Sequence, residues 1–253
     1  MRLPRIPLAA AAPLFLLPAS LAGQTLAARI RDAGAGPIHL SFAARPEVCG
    51  QGGRGIMFRD GDDQDDEWES DCERGPVRVS LRMRGGRVAS AENYVGGRWK
   101  PGTGAVDLGL VSAPEAAAVL LALAVSAGDG AEDLVAAATM ADSAVVWPTL
   151  LELARNPRAT EDTRRQAVFW LGHAAGVEAT RGLDSIMRDR GGELEVRKQA
   201  VFALSQRPRD EGVPALIRIA RTSREPEIVR TALFWLGQSD DPRTLALFEE
   251  ILR

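Results

Sequence analysis

The sequence has little cysteine and little histidine, which limits the chemistry open to it. There are two cysteines, Cys49 and Cys72, and two histidines, His39 and His173, in 253 residues. Most zinc sites and iron–sulfur clusters need more such ligands. The sequence also has no HExxH, no GxSxG and no glycine-rich phosphate loop between a strand and a helix. We therefore expect no metal site, no cofactor and no enzyme, although two carboxylates brought together in space would leave no trace in a sequence.

Aromatic residues and lysine are scarce as well. The 5% of aromatic residues favours close-packed helices over a β-sandwich built from large side chains. A net charge of −3 argues against a general affinity for nucleic acid or for anionic lipid. Lys100 and Lys198 are the two lysines, so nearly every positive charge is an arginine. We interpret this mainly as a compositional bias of the genome, with phosphate or carboxylate recognition as the alternative.

The N-terminus has the pattern of a secretory signal peptide. Arg2 and Arg5 precede an apolar stretch at residues 8–17, and small residues follow as far as Ala22. Cleavage near Ala22 would remove residues 1–22. The apolar stretch is too short to span a membrane, and no later stretch approaches the roughly 18 apolar residues that a span needs. We therefore expect a periplasmic or secreted protein without a membrane span.

Export changes the interpretation of the two cysteines. In an oxidising compartment, an isolated pair is expected to form a disulfide, here Cys49–Cys72. The bridge would close a loop of about 24 residues and stabilise the protein by roughly 3 kcal/mol. A redox or metal role is the alternative, but the spacing is not that of a CxxC motif and no histidine lies nearby to complete a site.

Residues 23–111 are predicted to form a small β-rich region. VRVSLRMR at residues 77–84 alternates apolar and polar side chains, as in a strand with one solvated face. Gly85 and Gly86 can supply the positive φ angles of a tight turn, and RVASAENYV is the expected return strand. IHLSFAA and VDLGLV are weaker candidates, which gives a sheet of three to five strands. In IHLSFAA, His39 is expected on the polar side.

Residues 112–253 are predicted to be helical throughout. Ser112 and Glu115 have the spacing of a capping box in front of AAAVLLALA. Asp241 and Pro242 are the expected cap and first residue of the last helix. His173 lies at an expected helix end, where its interaction with the last carbonyl groups would explain it.

A repeated segment is the strongest signal in the sequence. RQAVFWLG, KQAVFALS and RTALFWLG align without gaps, and their alanines, Ala167, Ala200 and Ala232, are 33 and 32 residues apart. A second amphipathic segment precedes each one, namely PTLLELAR, GLDSIMRD and VPALIRIA. Each unit is therefore predicted to be a helical hairpin. PEAAAVLLALA with EDLVAAATMA would form an atypical first unit, and TLALFEEILR a closing half-unit.

These residues resemble a HEAT-repeat protein, in particular the short HEAT-like repeats first described in phycobilin lyases. The resemblance covers residues 113–253, whereas we recognise no characterised family in residues 24–112. It implies a binding scaffold and says little about the partner. The fold class is thus mainly α, a solenoid of HEAT-like hairpins with a small disulfide-closed β region, α+β overall. The AVFWLG segments are apolar around the helix, so we expect them to be sandwiched between helices.

Two sets of residues are candidates for binding a partner protein. Arg165, Lys198 and Arg230 would form a row that holds an acidic or extended segment. An acid precedes each base by three residues, so a self-paired, solvated row is the alternative. Trp170 and Trp235 occupy equivalent places in their units and could frame a pocket, with ordinary core packing as the alternative.

The acidic run DGDDQDDEWESD at residues 60–71 is the other feature of interest. Its carboxylates suggest calcium, but Asp65 stands where an EF-hand needs glycine, so a solvated loop is the main expectation. We expect an exported, non-enzymatic scaffold that binds another protein through its repeats. The alternative is an enzyme subunit or a calcium-binding envelope protein whose site lies in the β region.

Overall fold

A computed structural model describes residues 24–50, 52, 56–58, 72–99, 104–128, 130–174 and 176–252, and for residues 56–58 it describes the backbone alone. The predicted signal peptide at residues 1–22 and the acidic run at residues 60–71 lie outside these residues.

The N-terminal region contains a short helix and a four-stranded sheet. The elements are α1 (Leu26–Asp32), β1 (Pro37–Phe42), β2 (Val48–Gly50), β3 (Ile56–Phe58), β4 (Val77–Arg84), β5 (Arg87–Val95) and β6 (Val106–Leu110). The strand order is β5-β4-β1-β6, with β6 parallel to β1 and the other pairs antiparallel. Gly85 and Gly86 form the β4–β5 turn at φ angles of 58° and 75°. The predicted hairpin and strand number are confirmed.

The predicted disulfide is confirmed. Cys49 lies in β2, which pairs with β3 in a separate two-stranded ribbon. Cys49 and Cys72 are bonded, with their Cα atoms 5.5 Å apart. A backbone bridge between Gly50 and Glu73 lies directly beside the bond. The disulfide therefore fixes the chain that returns from the ribbon to β4.

The position of His39 differs from the sequence-based expectation. Its side chain does lie on the face of β1 opposite Ile38 and Leu40, but it is 6% exposed instead of solvated. Trp99 covers it, with stacked rings whose centroids are 3.9 Å apart. Burial lowers the pKa of His39 below its ordinary value, and the Asp107 carboxylate partly opposes this shift. Period-two alternation could not reveal this second cover, because Trp99 lies beyond the end of β5.

The rest of the described chain is helical, as predicted. The helices are α2 (Ala113–Ala124), α3 (Ala131–Thr139), α4 (Trp147–Arg155), α5 (Glu161–Gly172), α6 (Val177–Arg188), α7 (Leu194–Ser205), α8 (Arg209–Thr222), α9 (Pro226–Gly237) and α10 (Pro242–Ile251). The hairpins are α2/α3, α4/α5, α6/α7 and α8/α9, and α10 packs on α8. They stack in two layers: α3, α5, α7 and α9 form the inner layer, and the even-numbered helices α2 to α10 form the outer layer.

The repeated small residues explain how closely the layers pack. Ala167, Ala200 and Ala232 are completely buried. A Cβ placed at Gly172 would lie 3.0 Å from the Cβ of Ala203, so α5 and α7 approach through small side chains. Larger residues here would push the units apart.

The sheet and the first hairpin share one core, and their junction corrects one prediction. Ser112 is the N-cap of α2, but its side chain makes no capping bond. Glu115 instead accepts a hydrogen bond of 2.7 Å from the backbone N–H of Leu26 in α1, so the predicted capping box is wrong. The Glu115 carboxylate joins two helices because α1 packs beside α2. At the other side, the Asn93 side-chain amide donates to the carboxylate and carbonyl of Asp133 in α3.

Candidate binding surface

The three inner helices of the repeats share a stripe of exposed and half-buried residues, which we call the inner face. Each stripe begins with an acid in the first turn, continues with a glutamine or threonine, and then reaches a phenylalanine and a final polar residue. In chain order these residues are Asp162, Gln166, Phe169 and His173; Glu195, Gln199, Phe202 and Gln206; and Glu227, Thr231, Phe234 and Gln238. Their spacing places each set on one side of its helix.

Aromatic rings run across the inner face from one helix to the next. The rings of Phe169 and Phe202 are stacked with centroids 6.3 Å apart, and Phe202 lies 4.8 Å from Trp235. Phe169 and Phe202 are half-buried, whereas Phe234 is 57% exposed. The prediction that the AVFWLG segments are sandwiched between helices therefore holds for their alanines and leucines and is wrong for the phenylalanines. Helices cover the alanine and leucine sides and leave the phenylalanine side open.

The predicted basic row lies beside these rings, and each base is paired with an acid on its own helix. The distances are 3.4 Å for Arg165–Asp162, 3.1 Å for Lys198–Glu195 and 2.8 Å for Arg230–Glu227. The row therefore carries balanced charge in this structure. A role of Arg165, Lys198 and Arg230 in binding stays a prediction, and any partner would meet the ion pairs as well as the cations.

A groove of about 590 Å³ opens beside Phe169. Arg165, Gln166 and Gln199 form one wall, and the first residues of α3, Ala131 and Glu132, form another. The groove thus combines one aromatic ring with polar and charged side chains, as protein-binding surfaces do.

The two predicted tryptophans have different surroundings. Trp170 is half-buried and contacts Phe169 and His173, with ring centroids 5.2 and 6.0 Å away. Trp235 borders a cavity of about 240 Å³ between α8 and α9. Ala203 occupies the equivalent position in the unit between the two tryptophans, where it is buried against Gly172. Whether either tryptophan binds a partner stays a prediction.

Sequence reasoning missed a second set of arginines, which connect neighbouring units. Arg164 in α5 pairs with Glu193 at the start of α7, at 2.6 Å. One unit later, Arg197 in α7 pairs with Glu225 at the start of α9, at 2.7 Å. In the following unit, Val229 stands at the position equivalent to Arg197, and its side chain cannot form an ion pair. The signal was present in the alignment, since Arg164 and Arg197 are 33 residues apart and each is followed by an acid at a helix N-cap.

Arg207 closes the turn between α5 and α6. Its side chain is 5% exposed. The guanidinium donates hydrogen bonds to the backbone oxygens of Gly172, Ala174 and Gly176, to the hydroxyl of Thr180 and to the carboxylate of Glu211. The Thr180 hydroxyl and Arg207 both donate to Glu211 and hold the pKa of its carboxyl below the ordinary value. We interpret this network as structural, because the Arg207 guanidinium donates its hydrogen bonds to other residues of the same chain.

Within the described ranges, no three His, Cys, Asp or Glu residues lie close enough together to hold a metal ion. The acidic run that suggested calcium is not among those ranges. None of the described helices is both long and apolar enough to cross a membrane.

The fold and surface define an α-solenoid of stacked helical hairpins. Residues 185–253 match the family model described as HEAT repeats, which agrees with the resemblance found in the sequence over this part of the chain. No curated protein matches the chain significantly. HEAT repeats are generally scaffolds for protein interactions, and the typical repeat is not catalytic.

Proposed function

We propose that this protein is an exported, non-enzymatic scaffold that binds a partner protein through the inner face. The observation that carries the proposal is the row of aromatic rings that the stack leaves open, with Phe234 at 57% exposure. A phenylalanine that is more than half exposed buries only part of its ring in the fold, and aromatic residues are enriched in protein interfaces.

The charges of the inner face support a protein partner in particular. Paired acids and bases beside an aromatic row form a surface of mixed character, with no excess of positive charge for nucleic acid. A partner segment would place apolar side chains against the rings and polar groups against the ion pairs.

Export to the periplasm or beyond is supported by two features. The first 22 residues have the charge and hydropathy pattern of a signal peptide. The bond between Cys49 and Cys72 suits an oxidising compartment. N-terminal sequencing of the protein recovered from the periplasm or medium should begin near Gly23, and recovery of the intact chain from the cytoplasm would contradict export.

The binding proposal is tested by comparing two serine variants. Phe234→Ser removes the exposed ring of the inner face. Leu245→Ser removes an apolar side chain of similar exposure, 63%, from α10 of the outer layer. Partners captured by the purified chain from an envelope extract are quantified by mass spectrometry. We expect Phe234→Ser to reduce capture of a specific partner about tenfold and Leu245→Ser to leave it unchanged. Equal capture by both variants would contradict the proposal.

The predicted basic row has its own test. Charge reversal of Arg165, Lys198 and Arg230 together should abolish capture of the same partner while far-UV circular dichroism shows intact helices. Undiminished capture would remove these three residues from the site and leave the aromatic row as its centre.

A further inference from the structure

A second cavity lies at one edge of the stack, away from the inner face. It forms where the α6–α7 turn and the α8–α9 turn lie side by side, and its volume is about 550 Å³. Four of its lining residues are arginines, which we call the arginine pocket: Arg188, Arg190, Arg197 and Arg224. The hydroxyl-bearing residues Thr222 and Ser223 also line it.

The charges of this pocket are not balanced. Glu225 is the acid among its lining residues, and it is already paired with Arg197 at 2.7 Å. Arg188 pairs with Asp184 at 3.0 Å. Arg190 and Arg224 are exposed, and neither makes an ion pair within the part of the chain that the structure describes. Two guanidinium groups therefore face the cavity with no anion to neutralise them, in contrast to the bases of the inner face.

The back of the pocket is held rigid. Arg197 is nearly fully buried, and its Nε donates to the backbone oxygen of Met187 at 3.0 Å while its Nη1 pairs with Glu225. These bonds hold the α6–α7 turn against the start of α9.

We propose that the arginine pocket binds carboxylate side chains of an acidic segment in the partner protein. Guanidinium groups form paired hydrogen bonds with carboxylates, and here two unpaired groups lie on two separate turns. A segment with several acids can place one carboxylate at each turn, so that both unpaired guanidinium groups are neutralised. This inference rests on the proposed function as a protein-binding scaffold, and it gives the partner a chemical character and a second point of contact.

The test uses a defined probe, a fluorescein-labelled oligoglutamate peptide of about eight residues, whose binding to the full chain is followed by fluorescence anisotropy. The double variant Arg190→Glu with Arg224→Glu should weaken binding about tenfold or more. The matched control is Arg181→Glu with Arg209→Glu, which changes the net charge equally but lies near the N-terminal ends of α6 and α8. It should weaken binding less than about twofold.

Three results would overturn the inference: equal weakening by both double variants, no saturable binding by the unmodified chain, or displacement of the peptide by inorganic phosphate at an equal concentration of charge. Circular dichroism checks that both variants are folded. Phe234→Ser should bind the peptide like the unmodified chain, because its ring lies on the inner face. Peptide binding without partner capture would thus count against the proposed function, and capture without peptide binding would count against the pocket alone.

Discussion

At the scale of single residues, the arginines of this protein differ in what they do according to their surroundings. Arg207 is buried and satisfies three backbone carbonyls, Arg197 joins two units, and Arg230 is 72% exposed and pairs within its own helix. Composition alone favoured one explanation, a bias of the genome, for all of them. The bias can explain why these cations are arginines rather than lysines, but not why two of them are buried.

The first prediction concerns Arg207. Its replacement by alanine removes the cation from the Glu211 carboxylate, which keeps only the Thr180 hydroxyl, and leaves the carbonyls after α5 without their donor. Arg207→Ala should therefore lower the free energy of unfolding by about 3–5 kcal/mol. Arg230→Ala removes an exposed pair and should cost less than about 1 kcal/mol. Urea denaturation followed by circular dichroism measures both. A loss for Arg207→Ala no larger than that for Arg230→Ala would show that water replaces the guanidinium without cost.

The sequence could reveal little of how the individual arginines differ in their surroundings. Arg164 and Arg165 are neighbours and both precede the repeated alanine, but one points toward the next unit and the other along the inner face. The phenylalanines and leucines of the repeat are equally apolar in the sequence. Which of them stays exposed depends on how the hairpins stack, and that is a property of several units together.

At the scale of elements, the helices were predictable and the sheet was predictable in part. A helical hairpin needs only local periodicity and short turns, and three aligned copies reinforce the signal. The β4–β5 hairpin was equally local because its turn has two glycines. The parallel pairing of β1 with β6 and the docking of α1 on Glu115 connect residues far apart in the chain, and no local pattern specifies them.

The second prediction concerns the contact between β5 and α3. A side chain at Gly130 would overlap the backbone of Ala91 and lie 2.9 Å from its Cβ, whereas a side chain at Gly128 would meet nothing within 4 Å. Gly130→Ala should therefore destabilise the protein by about 1–3 kcal/mol. Gly128→Ala should change stability by no more than about 0.5 kcal/mol. If thermal or urea unfolding does not separate the two variants, the sheet does not pack on α3 in this way.

The third prediction concerns the start of α10. As predicted, Asp241 caps this helix, and it accepts hydrogen bonds from the backbone and side chain of Arg243. The Arg243 side chain in particular lowers the pKa of Asp241 from 3.8 to about 2. Because the folded-state pKa is the lower one, the ionised carboxylate stabilises the fold above about pH 4, and this contribution is lost as the pH falls toward about 2.

Asp241→Asn keeps a capping oxygen and removes the charge, so it isolates the pH-dependent part. Urea midpoints between about pH 5 and pH 2 should show the unmodified chain more stable at the upper end and equal to the variant at the lower end. Asp240→Asn, a change at the exposed residue next to Asp241, is the control. A gap between the unmodified chain and Asp241→Asn that does not change with pH would contradict the shifted pKa.

At the scale of the whole molecule, the sheet and the repeats form one body with an open surface. The buried apolar residues form a single cluster from α1 and the sheet through the last hairpin. The sheet covers α3 of the first unit, while α5, α7 and α9 keep their phenylalanine side open. The first unit of a stack needs a cover on its outer side, and the sheet provides it by packing β5 on α3.

The central claim is that the inner face is the part that binds another protein. The most direct measurement is site-specific photocrosslinking in intact cells, with a photoreactive phenylalanine analogue placed at Phe234 or, separately, at Leu245. We predict a discrete crosslinked adduct of the chain with a second protein from Phe234 and none from Leu245. Equal adducts from both positions, or none from Phe234 while the chain is folded and abundant, would contradict the claim.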